Sequence, residues 1–279
     1  MDLLTVETLD RPGGDDEVRA LLPALGADRA LLGGGTWLFS VPQPHLRGLV
    51  DLTAAGWTPI TADDDGLVIA ATATLAELAD LDPAGHPAWP ALPLLAECCE
   101  ALVGSRKVWH VATVGGNVCL ALPAGPMITM AAALDGVAVI WDAAGRERRE
   151  PVVDLVAGPQ CTTLAAGELL RAVHLPDAAL RGRAALRKAS LSPLGRSAVL
   201  LAGRRDGNGA FTLAVTAALP RPAVLRYASV PEVARLAADV DALAGTHGGW
   251  YDDPHGSPAW RHAMTRHLAE EIRTELGAG

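Results

Sequence analysis

Three consecutive glycines, Gly33, Gly34 and Gly35, follow the aliphatic run Ala30-Leu31-Leu32, and Pro42 and Pro44 stand just beyond. Adjacent glycines lose much backbone entropy on folding, so they mark a place where a Cβ is not tolerated. The prolines limit any helix behind them to about one turn. A G-x-G-x-x-G dinucleotide loop needs a long helix directly behind it, and a P-loop needs a lysine. This stretch has neither. Two readings stay open: a plain glycine turn, or a loop whose own amides face an anion.

A second segment, Thr113-Val114-Gly115-Gly116-Asn117, carries a similar pattern. It reads as a strand end set against paired glycines, with a hydroxyl and an amide beside them; a bulge or hairpin is the plainer alternative. A diphosphate has two charges and several acceptor oxygens. Two glycine loops converging from different parts of the chain can donate to it without a salt bridge.

The rest of the chain narrows the class. At 279 residues it has room for roughly two or three domains. A net charge of −9 argues against a nucleic-acid surface. The cysteines, Cys98, Cys99, Cys119 and Cys161, show no CxxC or Cys/His spacing for zinc or an iron–sulfur cluster. They read as free thiols of a reducing, cytoplasmic compartment. The amino terminus has no signal-peptide pattern, and Pro123, Pro126 and Asp135 break the most apolar region, so no transmembrane segment is expected. His262 and His267 lie five apart and do not share a helix face, so no metal site is expected. Ser190 and Ser192 sit in no nucleophile elbow, and no catalytic residue is assigned.

Periodicity places a helix over 15–25, strands near 30–32 and 48–52, and a strand ending at Thr74, whose T-L-A-E sequence is a capping box. Helices follow over 91–103 and from Gly125-Pro126 to Asp135-Gly136, then a hairpin around DAAGR. Residues 176–184 read as a linker. Beyond it come strands near 184–189, 197–203 and 211–219, a helix over 230–243, and a terminal helix with Ser257 as N-cap, Pro258 at N1 and Gly277 past its end. The plan is α+β.

The pair LGGGTWL (32–38) and ATVGGN (112–117) resembles the signatures AGGTxL and ATIGGN of the FAD-binding medium subunits of molybdenum hydroxylases. That family includes carbon monoxide dehydrogenase and the flavin domain of xanthine dehydrogenase. Gly167-Glu168-Leu169-Leu170 with Leu175-Pro176 resembles its GELL…(I/L)P run, and Leu186-Arg187-Lys188 its (F/Y)xK strand. HGSPAWRHAMTRHL (255–268) is similar to its terminal helix. The matches fall in order over nearly the whole chain.

The resemblance implies a PCMH-type FAD-binding fold: two α/β subdomains, 1–55 and 56–176, and a C-terminal domain, 177–279, with a small antiparallel sheet and helices. FAD would lie between the first two. Leu32, Gly33, Gly34, Gly35, Thr36 and Trp37 would hold it from one side, the diphosphate on backbone amides. Thr113, Gly115, Gly116 and Asn117 would do so from the other. Leu170 would pack beside the cofactor and Lys188 would approach the flavin end. The implied function is electron transfer from iron–sulfur clusters on a small subunit, through FAD, to an external acceptor. Substrate hydroxylation would fall to a molybdopterin large subunit, in a dimer of heterotrimers. A fold-retaining structural or assembly subunit without FAD, and a self-contained flavin oxidase, are the alternatives. Three positions depart from the family pattern: Trp37 and Pro126 each stand where an acid is usual, and Arg196 replaces a third.

Overall fold

Strand pairing sorts most of the chain into three successive sheets, with a small two-stranded one of Val156–Gly158 and Cys161–Thr162 besides. The computed structural model describes residues 3–278. The N-terminal sheet is parallel, with Gly48–Asp51 between Thr8–Asp10 and Arg29–Leu32. Asp15–Leu21 is the connecting helix, continued by a 3-10 turn, and buries Val18 and Leu22. The central sheet is antiparallel, in the order Ile60–Asp63, Gly66–Ala70, Leu169–Pro176, Val137–Trp141, Glu147–Pro151. Its middle strand, Leu169–Pro176, is supplied by the last of its segments in the chain. The C-terminal sheet is an antiparallel meander of Arg183–Ala189, Val199–Arg205, Phe211–Thr216 and Ala223–Tyr227. The fold is α+β.

One helix joins the central and C-terminal parts. Pro126–Ala133 is buried at every residue, as its sequence PMITMAAA demands, since an element apolar all round has no face to give to water. It packs against Pro93–Ala101 on one side and the strands Val199–Arg205 and Phe211–Thr216 on the other. Inside this contact the hydroxyls of Thr129 and Thr216 share a hydrogen bond of 2.6 Å, and Thr216 also donates to the Leu200 carbonyl at 3.0 Å. The helix ends on a cation. Arg204, only 4% exposed, donates through Nη1 to the Ala133 carbonyl (2.7 Å) and through Nη2 to Asp135 (2.6 Å). Its Nε binds Asp206 at 2.7 Å. Burial works against this charge, but the bonds to Asp206 and Asp135 outweigh it and raise the Arg204 pKa. A positive charge at a helix C-terminus also complements the macrodipole.

The other face of the C-terminal sheet packs Phe211, Leu213 and Val215 against Leu236, Val240 and Ile272 of the helices Val233–Thr246 and Pro258–Gly277. Fully buried Arg261 fastens the terminal helix down, donating to the carbonyls of Ala198, Ala217 and Gly256 and to Asp253. Among the described residues no helix is long and apolar enough to cross a membrane.

Several boundaries differ from the sequence reading. Residues 176–184 are not a loose linker: Asp177–Leu180 forms a helical turn, held by Asp177 accepting from Trp89 Nε1 (2.8 Å) and Arg181 Nε (2.6 Å). The third strand of the meander stops at Thr216, because Ala217 turns into the left-handed region (φ 62°). Pro220 and Pro222 masked the strand Ala223–Tyr227. Gly277 is the last residue of its helix rather than a residue beyond it. Val233 is half exposed, while Leu236, Val240 and Leu243 form the buried stripe.

Two outcomes follow for stability. Arg204→Met removes one partner of a buried ionic cluster and is expected to lower stability by about 3 kcal/mol, read as a lower urea midpoint at unchanged slope. The second concerns Glu168, whose two carboxylate oxygens accept from Arg148 Nε and Nη2 at 2.7 Å each. This pairing holds the Glu168 carboxyl below the usual carboxylate range. Its contribution is therefore complete above about pH 5 and fades as pH falls through the lowered folded-state value. Glu168→Gln is expected to flatten the acid limb of the stability–pH curve, measured by thermal melting from pH 7 downward.

Candidate functional site

The strand Arg29–Leu32 runs directly into the glycines, and the chain then turns: Phe39 N–H donates to the Gly35 carbonyl and Ser40 N–H to the Trp37 carbonyl, each at 2.9 Å. Gly35 sits at φ 67°, where L side chains are strained. At Gly34 the constraint is contact. A Cβ there would lie 1.7 Å from the Val111 carbonyl oxygen, so the two backbones touch. A Cβ on Gly33 would meet Thr113 Oγ1 at 2.7 Å. The two glycine motifs are thus pressed against each other.

The second motif is not a strand end with a turn. Val114–Leu120 is a helix, and Thr113 is its N-cap, accepting from Gly116 N–H at 3.1 Å. Thr113 and Val114 are β-formers, but the local capping bond and the surrounding packing override that preference. The amides of this segment are committed within the protein: Val114 N–H to the Ala73 carbonyl, Gly115 N–H to Ala71 and Asn117 N–H to Thr113, at 2.9–3.0 Å. Asn117 Oδ1 accepts from Met127 N–H (3.1 Å). Pro126, where an acid would be usual, is the buried N1 residue of the joining helix.

The first motif is the opposite case. Among the described residues, the N–H groups from Gly34 to Leu38 have no acceptor in the protein. They border a cleft of about 590 Å³. Consecutive unpaired amides in a turn form an anion-binding concavity. Leu32, Gly33, Gly34, Gly35, Thr36 and Trp37 line this cleft, and Thr113, Gly116 and Asn117 line it from the helix. Trp37 stays 39% exposed at the wall. Gly115, Leu170 and Lys188 do not line it. Gly115 is packed on Ala71. Leu170 is buried in the central sheet opposite Ile140, and Lys188 pairs with Leu200 in the C-terminal sheet, its pKa lowered by burial.

The remaining wall comes from segments outside the two glycine motifs. Ala101–Gly104 close one side beyond the helix Pro93–Ala101, and Arg196 and Ser197 reach in from the loop before the strand Val199–Arg205. Cys119 also lies on the wall. The lining is mainly apolar, and Arg196 is its one charged side chain among the described residues. Neither a carboxylate nor an imidazole faces the cleft. Elsewhere, no group of three or more metal-ligating side chains occurs among the described residues. His262 instead contacts Asp241 at 2.6 Å and His267 contacts Glu271 at 3.1 Å.

Comparison with known proteins identifies the family of the chain. The family described as the FAD binding domain in molybdopterin dehydrogenase matches residues 9–178, more than half of the chain. The chain belongs to this family. Its cofactor is FAD, and its members are oxidoreductases. The fold extends beyond the matched region. A carbon monoxide dehydrogenase structure from Hydrogenophaga pseudoflava that lacks the Mo-pyranopterin moiety of the molybdenum cofactor superposes with a TM-score of 0.81 at 22% identity, covering 100% of this chain and 99% of that one. Quinoline 2-oxidoreductase from Pseudomonas putida 86 gives 0.81 at 21% identity with the same coverage. Reconstituted CO dehydrogenase from Oligotropha carboxidovorans gives 0.80 at 21%, covering 98% and 99%. A search of curated protein sequences finds no match.

The contact at Gly34 is open to direct test. Gly34→Ala is expected to cost about 3 kcal/mol by overpacking against the 111–113 backbone. Gly245→Ala, at an exposed position of the helix Val233–Thr246 with nothing within 4 Å, is expected to gain up to about 1 kcal/mol. Chemical unfolding of both variants beside the parent checks the contrast.

Proposed function

We propose that this chain is the flavoprotein subunit of a multi-subunit molybdenum hydroxylase. It holds FAD in the cleft and passes electrons from a partner's iron–sulfur clusters to an external acceptor. The observation that carries the reading is the run of unpaired amides from Gly34 to Leu38 on the wall of a mainly apolar cleft, in a chain of an FAD-binding family. These amides suit a diphosphate, which brings two negative charges and needs donors without a salt bridge. Thr113, Gly116 and Asn117 then form the facing wall, with Asn117 contributing side-chain polarity. Trp37 offers an indole face for stacking on a ring. Leu170 and Lys188 support the site from behind the wall. Residues 1–55 and 56–176 act as the two FAD-holding parts and 177–279 as a domain closing over them.

When bound, FAD supplies reversible uptake of electrons. The chain's own contribution is to bind, orient and shield it. The cleft wall carries no carboxylate or imidazole to act as a general acid or base. This favours electron transfer over substrate turnover on this chain. In this reading hydroxylation belongs on a separate molybdenum-cofactor subunit, in keeping with the molybdenum cofactor named for the Hydrogenophaga pseudoflava relative, and cluster ligands belong on another. A cytoplasmic location is part of this reading, and the unpaired thiols Cys98, Cys99, Cys119 and Cys161 are compatible with a reducing compartment.

Incubation of the full chain with FAD, followed by gel filtration, is expected to give a yellow protein with flavin fluorescence quenched. A protein that stays colourless and quenches nothing overturns the proposal in favour of a structural or assembly subunit. Turnover of a substrate by the isolated chain would instead identify a self-contained oxidase.

A further inference from the structure

Arg196 is the one charged side chain on the cleft wall, and no hydrogen bond or ion pair from it to any described residue exists. It is half-buried, on the loop joining the strands Arg183–Ala189 and Val199–Arg205. A guanidinium is charged at every accessible pH and has five donors in a rigid fork. Half-buried on a mainly apolar wall and bonded to no other described residue, the Arg196 fork is free to meet an acceptor that enters the cleft. Three other arginines of the C-terminal domain have partners within the protein. Arg204 has Asp135, Asp206 and the Ala133 carbonyl; Arg261 has Asp253 and three carbonyls; Arg187 has Glu271 and Glu275.

We propose that Arg196 is a tuning residue that faces the pyrimidine edge of the bound isoalloxazine and stabilises the reduced ring. This rests on the FAD reading above. The diphosphate already has a donor set in the amides of Gly34–Leu38, on the N-terminal wall. Arg196 enters from the C-terminal domain, through a different segment of the wall beside Ser197. Of the cofactor's acceptors outside the diphosphate, the N1–C2=O and C4=O edge of the ring is where reduction places negative charge, and its spacing suits a guanidinium fork. Two-electron reduction with uptake of one proton adds one negative charge to that ring system. A fixed cation therefore binds the reduced form more strongly than the oxidised one, and the bound couple is raised in potential.

The test is a reductive titration of the full chain reconstituted with FAD, using dithionite and dyes of known potential, with oxidised-FAD affinity measured alongside. Arg196→Gln and Arg196→Leu are expected to weaken binding of the reduced relative to the oxidised cofactor by about tenfold, a negative shift of about 30 mV for a two-electron couple. Oxidised-FAD affinity should change by less than about threefold. Arg196→Lys should restore part of the shift, and thermal melting confirms that each variant is folded. An unchanged potential overturns the assignment. So does a potential unchanged in the face of a large loss of oxidised-FAD affinity, which would place Arg196 at the diphosphate. Failure of the parent protein to bind FAD is a different result, and overturns the flavin reading itself.

Discussion

The backbone contact between Gly34 and Val111 is the constraint from which the site derives. It brings the end of a parallel strand against the N-terminus of a helix 80 residues further along the chain, with no space for a side chain between them. Because the glycines touch the protein on one side, the turn after them is free to present its amides on the other. The helix facing that turn has spent its own amides on Ala71, Ala73 and Thr113. The two motifs look alike in sequence but differ in structure: one leaves its amides without acceptors in the protein, the other braces.

The second dependency runs through the helix Pro126–Ala133. It is too apolar to face water, and its small residues let a helix and two strands approach it closely. Thr129 meets Thr216 inside the contact, and Arg204 closes the helix's carbonyl end. The C-terminal domain is therefore held in a fixed relation to the central sheet. That relation brings Arg196 and Ser197, from a loop with no glycine signature, onto the wall of a cleft whose other residues lie far earlier in the chain.

Local rules were legible where local chemistry decided the outcome. The Thr74–Glu77 capping box forms as its spacing predicts, as do the Pro126 start and the Ser257 cap. The hairpin around DAAGR forms with Asp142 accepting from Ala144 and Arg146 N–H. The glycines were legible as places without a Cβ, but not which neighbour excludes it; that depends on packing between distant segments. For the same reason Thr113-Val114 read as a strand end, since its neighbours Ala71 and Ala73 are remote in sequence. Leu170 and Lys188 belong to motifs of the family pattern yet do not line the cleft, whereas Val103 and Gly104 do so without any motif.

The order of strands in the central sheet bears on how the protein is made. Leu169–Pro176 lies between Gly66–Ala70 and Val137–Trp141, so the segment that joins the two halves of the sheet is the last of them to leave the ribosome. Until then the earlier strands have an open edge on each side of a gap, and the apolar surface destined for that gap is uncovered. Nascent chains shorter than about 180 residues plus the length of the exit tunnel are the ones that need shielding. Completion of one strand, rather than gradual accretion, marks the moment the central sheet can close.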